Sequence, residues 1–383
     1  MPTLKEILCL NRPNFAINPK QSFDDAQLFF GQAQNKEIIS NIETGYMAGY
    51  LPRIYLFGNY GTGKTHLLYH LKHHFDNVKT PFDVMAYVVT VESDSRTRYQ
   101  SLHKKLLDAV GLKAVTDAFN DYTMGLGADR EAKLRELFPE NNTLTAMRLL
   151  QAGQMLQTLA WRWLSGEKLS NAELGNLGIT SNLQESGDLV DALVHVGELF
   201  KRTDRHLFFM VDESESLQVV SNRDSQRSWH DAFRRLADHQ DNQSIGWMLT
   251  FYTTMANEAP EFMLEGDITT RLGREGQVTL EPLAPVEVKR FLGDLLEAFI
   301  DRDCAKERIQ SEGLPTTPAL FPFTQDGFDA FVDQAQAAPE LAIPRVILKA
   351  VTALALEALR TGRTIFDASL VEEVVPQEFS DLS

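Results

Sequence analysis

Five short apolar runs punctuate a chain that otherwise repeats its apolar residues at helical spacing. Residues 53–57, Val84 to Val91, Leu207 to Val211, Ile245 to Tyr252 and Val278 to Leu280 are β-branched or aromatic runs of strand length. They are continuous runs, without the polar alternation of a strand that has one face in water. That predicts parallel strands covered on both faces. The intervening segments carry apolar residues three and four apart, as helices do. One helix runs through Ile38, Ile39 and Ile42, after a lead-in containing Phe30 and Gly31. Another carries Leu67, Leu68 and Leu71.

The gap between the second and third strands is long. About residues 95–205 hold no convincing strand and read as several helices, with Leu102, Leu106 and Leu107, then Met147, Leu150, Leu159 and Trp163, then Leu189, Leu193 and Leu199 at helical spacing. Breaks are expected near Gly125 to Gly127, Pro139 to Asn142 and Gly175 to Gly187. A single crossover needs far less chain, so this is read as a helical insertion. After Pro285 helices return, around Val288–Phe299, Phe328–Ala335 and Arg345–Leu359. The expected division is an α/β core over residues 1–285 and a helical lid over 286–383.

Composition narrows the class. Among 383 residues there are 37 Lys or Arg and 53 Asp or Glu, a formal net charge of −16, with 43% apolar and 23% charged residues. That balance excludes disordered, collagen-like and disulfide-stapled miniprotein classes. The charge argues against general coating of nucleic acid or anionic membrane, while leaving room for a local basic site. Residues 286–383 hold 17 acidic and 9 basic side chains, half of the net charge in about a quarter of the chain. The acidity therefore belongs mainly to the lid region. Cys9 and Cys304 are the only cysteines, with no Cys-x-x-Cys pair, so neither a disulfide framework nor a structural zinc site is expected. The N-terminal residues lack a signal-peptide layout and no run reaches 18 apolar residues. A cytoplasmic protein with no membrane span is expected.

Two motifs carry chemistry. Gly58-Asn59-Tyr60-Gly61-Thr62-Gly63-Lys64-Thr65 fits G-x-x-x-x-G-K-[ST], between a strand and a helix. Glycines let such a loop curl so that its N–H groups point at a phosphate, and the helix N-terminus adds positive potential. Lys64 then bridges the β- and γ-phosphates, and the Thr65 hydroxyl ligates Mg²⁺. His66 follows at the helix start and is counted with the nucleotide-binding residues. Further on, Leu207 to Val211 ends in Asp212 and Glu213. A strand end of an open α/β sheet delivers side chains to the ligand-binding edge. There Asp212 can hold Mg²⁺ through water, and Glu213 can orient and deprotonate an attacking water.

Together these segments resemble the AAA+ ATPases, in the style of the origin-recognition and replication-initiator branch, over about residues 25–95 and 205–360. Phe30-Gly31 with Lys36-Glu37 is similar to that branch's lead-in, although Gln32 stands where Arg is usual. The resemblance implies ATP and Mg²⁺ as cofactors and three further site residues. Thr253, or alternatively Thr254, stands where the family has its polar sensor 1. Arg271, or alternatively Arg274, matches the arginine finger that reaches a neighbouring subunit. Arg345, after Ile343-Pro344, resembles the sensor 2 arginine at the start of a lid helix. Initiators usually add a winged helix after the lid. About 40 residues follow Arg345, so sequence-specific origin binding is not expected. Within the insertion, Trp161 to Glu167 and Leu174 to Ile179 bear a looser resemblance to ATP-binding proteins of BREX-type phage-defence systems.

Arg96, Arg98, Lys104 and Lys105 place four cations in ten residues and are the first place to look for contact with double-stranded DNA. Arg223, Arg227, Arg234 and Arg235 are a second basic group, also compatible with an exposed helix face. The leading expectation is an ATP-hydrolysing switch or remodeller. It would form a homo-oligomer and act on DNA-associated or protein effector partners, in phage defence or mobile-element control. The alternative is a nucleotide-gated scaffold that recruits a separate effector with little turnover. A small-molecule kinase is a third reading, and Arg271 and Arg345 count against it.

Overall fold

The computed structural model describes residues 3–28, 33–48, 52–77, 83–91, 94, 96–239, 244–252 and 276–380. The lead-in Phe29–Gln32, both sensor 1 alternatives (Thr253 and Thr254) and both arginine-finger alternatives (Arg271 and Arg274) lie outside the described residues. All five expected strands form: β1 (Arg53–Gly58), β2 (Asp83–Thr90), β3 (Arg205–Asp212), β4 (Ile245–Tyr252) and β5 (Gln277–Leu280). They pair side by side in the order β2-β3-β4-β1-β5, and every pairing is parallel. The register sets Thr90 against Asp212 and Gly58 against Tyr252. Parallel pairing brings the C-terminal ends of β1 and β3 to one edge of the sheet, with β4 between them.

The chain sorts into two compact units. One comprises Asn41–Gly58 and Leu71–Thr279, and the other Met1–Ser40, Asn59–His70 and Leu280–Ser383. The sequence reading kept residues 1–285 together. By tertiary contacts the first 40 residues and residues 59–70 cluster with the C-terminal helices.

In the first unit, the pleat divides the strand residues between two faces. Tyr55, Phe57, Leu207, Phe209, Val211, Trp247, Leu249 and Phe251 join one large apolar cluster with the helices of the insertion. On the opposite face Phe208 meets Phe75 edge-on, with ring centres 6.1 Å apart. Phe75 lies on α4 (Lys64–Asn77), the fourth helix after α1 (Leu4–Ile7), α2 (Phe23–Gln27) and α3 (Ala33–Met47). This two-sided burial is why the strands read as continuous apolar runs.

The insertion is helical throughout its described length: α5 (Tyr99–Val110), α6 (Leu112–Met124), α7 (Arg130–Leu137), α8 (Asn141–Leu149), α9 (Gln154–Leu164), α10 (Asn171–Leu177) and α11 (Ser186–Lys201). Breaks fall near Gly125 and Pro139 and between Leu177 and Ser186, as expected, and further ones occur at 150–153, at 165–170 and at Gly111, which has a positive φ of 85°. Helix α11 lies close on β4, because a Cβ at Gly197 would meet Ile245 Cγ1 at 2.5 Å. The Trp161–Glu167 segment is structural here. Trp163 is buried and donates to the Ser181 carbonyl at 2.9 Å, and Arg162 ties Glu167 to Glu173. After β3, α12 (Arg223–Asp238) begins on an Asn222 cap, whose side chain accepts from the Asp224 and Ser225 N–H groups.

The second unit is built on α13 (Pro285–Phe299), α14 (Arg302–Glu312), α15 (Gln325–Ala337), α16 (Pro344–Thr361) and α17 (Ala368–Ser380). Helices α14 and α17 were not anticipated from the sequence. Ile7, Leu8, Leu10 and Phe15 of the N-terminal segment complete its apolar cluster. Phe15 stacks on Phe299, Arg12 lies 4.4 Å above the same ring, and the Asn11 N–H donates to the Phe299 carbonyl at 2.9 Å. This packing brings Cys9 to Cys304, and the two form a disulfide across 295 residues. No disulfide framework was expected from the sequence, and this bond corrects that reading. Such a separation leaves no spacing pattern in the sequence, and only the packing of the N-terminal segment on α13 and α14 makes the pair. Among the described residues, no helix is long and apolar enough to cross a membrane.

Candidate functional site

The loop after β1 is folded around a single carbonyl. Asn59 O accepts from the Thr62 N–H at 3.3 Å, the Thr62 hydroxyl at 2.9 Å and Lys64 Nζ at 3.1 Å. Gly61 and Gly63 adopt φ of 91° and 100°, a region that L side chains rarely enter. The turn therefore closes tightly and α4 starts at Lys64. Its first amides carry the partial positive charge of a helix N-terminus, which suits a phosphate. Thr62 is buried, whereas Gly61, Gly63, Lys64 and Thr65 keep partial exposure.

Arg345 comes to this loop from the start of α16. Its N–H donates to the Gly61 carbonyl at 3.3 Å, and its guanidinium lies 4.2 Å above the Tyr60 ring. A Cβ on Gly61 would meet Arg345 Cβ at 2.7 Å and Ile343 Cδ1 at 3.2 Å. Pro344 at the first helical position, where its missing N–H costs nothing, fixes the start of α16. The structure thus joins the loop and Arg345, which are about 280 residues apart in the sequence.

His66 is turned toward the N-terminal segment. Burial lowers its pKa, and a hydrogen bond to the Leu28 backbone and the charge of Asp25 act in the opposite direction. His70 Nδ1 lies 3.1 Å from the Ala26 carbonyl. The first turns of α4 are therefore clipped to residues 25–28, a link absent from the sequence reading. Asp25 itself is buried, and accepts from Arg12 at 2.5 Å and from the Asn18 N–H at 2.6 Å.

In the other unit, Asp212 ends β3, buried, and Glu213 follows with φ 59° and ψ 35°. A left-handed conformation costs a non-glycine residue about 1–2 kcal/mol. Thr250 of β4 holds both residues. Its hydroxyl lies 3.1 Å from Asp212 Oδ1, toward which it donates, and accepts from the Glu213 N–H at 3.2 Å. Thr250 is fully buried on the same sheet face as Asp212. Sequence reasoning missed it, because a Thr inside a strand is ordinary β-branched filling.

The basic stretch is divided by the fold. Lys104 pairs with Glu167 at 2.6 Å, and Lys105 Nζ donates to the Thr90 carbonyl at 2.9 Å. Arg235 makes a two-pronged pair with Asp191, at 2.8 Å for each bond. Arg96, Arg98, Arg223 and Arg227 remain exposed.

No family model matches the chain, and no curated protein matches it. Solved structures do. The ORC2 protein of Aeropyrum pernix, in ADPNP and ADP complexes, is 12% identical with a TM-score of 0.50, over 91% of this chain and 67% of that one. Domain III of the replication initiation protein DnaA from Thermotoga maritima is 12% identical with a TM-score of 0.40, over 96% and 99%. The Aeropyrum pernix ORC1 protein in complex with DNA is 12% identical with a TM-score of 0.46, over 89% and 63%. Identity at this level speaks to architecture alone: the α/β fold of this chain, with its parallel five-stranded sheet and helical C-terminal region, is similar to that of the Aeropyrum pernix ORC2 protein.

Proposed function

We propose that the chain binds ATP with Mg²⁺ and hydrolyses it to switch or remodel an assembly. The observation that carries this reading is the tightly curled Asn59–Gly63 loop, at the N-terminus of a 14-residue helix and in contact with Arg345. In this reading Gly58 to His66 form the nucleotide-binding segment, and Lys64 contacts the β- and γ-phosphates. The donors offered to the metal, the Thr65 hydroxyl and the Asp212 carboxylate, are hard oxygens. They suit Mg²⁺, which takes most of its ligands from water and phosphate. Among the described residues, no group of three or more His, Cys, Asp or Glu forms a cage of its own. Bound Mg²⁺ would supply positive charge beside the phosphates. Glu213 orients the attacking water and takes its proton. Arg345 acts on the γ-phosphate in cis, Thr253 senses it, and Arg271 is supplied by a neighbouring copy.

The wider reading is a homo-oligomer that acts on DNA-associated or effector protein partners, with an N-terminal α/β core and a C-terminal lid. Its setting in phage defence or mobile-element control rests on sequence resemblance alone. The test is a pair of variants measured for ATP binding and phosphate release. Lys64→Ala should lose binding. Glu213→Gln should keep binding and lose hydrolysis by about 10²–10⁴-fold, the usual contribution of a general base, while its oligomer is stabilised by trapped ATP. Wild-type binding in the first variant overturns the loop assignment. Undiminished function with hydrolysis lost in the second favours the nucleotide-gated scaffold.

A further inference from the structure

The N-terminal segment runs as a strap from α14 to the start of α4. Its first anchor is covalent: Cys9, buried, is bonded to Cys304 of α14. Around that bond the Cys9 carbonyl accepts from the Asp301 N–H at 2.7 Å, and Arg308 donates to the carbonyls of Glu6 and Ile7. Three residues on, Arg12 lies over the Phe299 ring and reaches across to Asp25, whose other oxygen accepts from the Asn18 N–H. Asp25 belongs to α2. Just after it the Ala26 carbonyl lies against His70, and the Leu28 backbone bonds to His66. His66 and His70 stand one turn apart in the first turns of α4, which begins at Lys64. A continuous run of contacts thus leads from the disulfide to the helix that follows the glycine-rich loop. All of its residues belong to one compact unit.

Two features set this bond apart from a plain staple. Cys9 has φ 51°, a left-handed conformation that a residue with a Cβ keeps only where its surroundings over-determine it. Opening the sulfur bridge removes one of the constraints that hold it there. Cys9 and Cys304 are also the only cysteines in the chain, so the pair has two states, closed and open, and no alternative partner. Cys304 keeps partial exposure while Cys9 is buried. A thiolate from solution therefore reaches Cys304 Sγ first.

We propose that the Cys9–Cys304 bond is a redox clasp. Opening it loosens the strap and, through Arg12 and Asp25, the first turns of α4, so that the closed form binds nucleotide phosphate more tightly than the open one. Opening takes two thiol steps. The thiolate of a small dithiol attacks Cys304 Sγ and forms a mixed disulfide, while Cys9 leaves as a thiolate. The second thiol of the reductant then displaces Cys304 and closes the reductant into its own cyclic disulfide. Two electrons pass to the protein, and the two protons of the dithiol end on Cys9 and Cys304. The affinity effect rests on the reading of residues 58–66 as a nucleotide-binding segment, whereas the loosening of α4 does not.

The experiment compares the full chain held oxidised and reduced in buffers of oxidised and reduced dithiothreitol. Hydrogen exchange at short labelling times is read peptide by peptide without nucleotide, and affinity for a fluorescent ATP analogue is titrated on the same samples. Reduction should speed exchange about tenfold or more at residues 22–28 and 64–70 as well as at 3–12, with the interior of α13 to α17 still protected. It should weaken the analogue by about fivefold or more, the lower end of ordinary coupling between sites, and reoxidation should restore both. A double variant, Cys9→Ser with Cys304→Ser, should match the reduced parent and ignore the reductant. Arg12→Ala, with its disulfide intact, should loosen residues 64–70 while residues 3–9 stay protected. Loosening confined to residues 3–12 overturns the proposal, as does equal exchange at residues 64–70 in the two redox states. Loss of protection throughout α13 to α17 also overturns it, since the bond would then be a staple of the whole unit. Failure of the ATP reading looks different: the analogue binds in neither state, the affinity effect falls with that reading, and the exchange difference at residues 64–70 persists.

Discussion

Replacing Thr250 with Val removes one hydroxyl and almost nothing else, yet that hydroxyl serves two backbone-distant groups at once. It lies 3.1 Å from a buried carboxylate oxygen of Asp212, to which it donates, and accepts from the N–H of Glu213 at 3.2 Å. A hydroxyl has one proton and two lone pairs, so valine can replace neither function. A hydrogen bond to a charged group is worth about 1.5–3 kcal/mol, whereas Glu213 is exposed and its N–H can turn to water. The loss is therefore mainly that of the bond to Asp212. A net effect of about 2 kcal/mol is reasonable for Thr250→Val. It should lower the melting temperature by roughly 4–8 °C, at 2–4 °C per kcal/mol for a body of this size. If Asp212 and Glu213 must be held in place for hydrolysis, kcat should fall by about 30-fold, since each 1.36 kcal/mol is tenfold. Steady-state ATPase kinetics at fixed free Mg²⁺, with thermal melts, measure both. Thr250→Ser keeps the hydroxyl and should recover most of kcat. A Thr250→Val protein within twofold of the parent in kcat, at unchanged melting temperature, would refute the positioning role.

Three further outcomes are expected. Gly61→Ala should weaken ATP binding at least tenfold in titration calorimetry. It forces an L residue to φ 91°, a strain of about 1–3 kcal/mol, and sets its Cβ 2.7 Å from Arg345 Cβ. Gly63→Ala has a similar φ but nothing within 4 Å, so it should bind more tightly than Gly61→Ala, and equal affinities would count against the Arg345 contact. Burial pushes the His103 imidazole down to about 4, while its hydrogen bond to the Leu164 carbonyl pulls the other way. The unfolded chain binds this proton near pH 6.5 and the folded one does not. The stability is therefore complete above about pH 6.5 and lost as pH falls toward 4, by about 3 kcal/mol in all. Denaturant titrations at pH 7 and pH 5 should show a smaller acid loss in His103→Gln than in the parent. Reducing the Cys9–Cys304 bond, or changing Cys304 to Ser, should cost about 2–5 kcal/mol, because it frees a closure of 295 residues. A melt indifferent to reductant would show that the packing of Ile7, Leu8 and Phe15 alone holds the N-terminal segment.

The strands and the glycine-rich loop after β1 were legible because both are written locally. A strand covered on both faces must be apolar at every position, so residues 53–57 and Leu207–Val211 announce themselves. Gly61, Gly63, Lys64 and Thr65 act within eight residues of one another, and the backbone conformation they need is carried by the glycines themselves. Asp212 and Glu213 were legible for the same reason, as carboxylates at the end of such a run.

The remaining features depend on pairs far apart in the chain. Thr250 serves Asp212 only because β3 and β4 are neighbours in the sheet. Arg345 reaches Tyr60 and Gly61 only because α16 is delivered to the loop. The sequence also made Lys104 and Lys105 look available, since it shows charges and not their partners, Glu167 and the Thr90 carbonyl. By itself the sequence determined the strands, most of the helices and the residue patterns of two motifs. Tertiary structure decided which side chains meet, because hydrogen bonds and ion pairs depend on distances in space, which the order of residues along the chain does not contain.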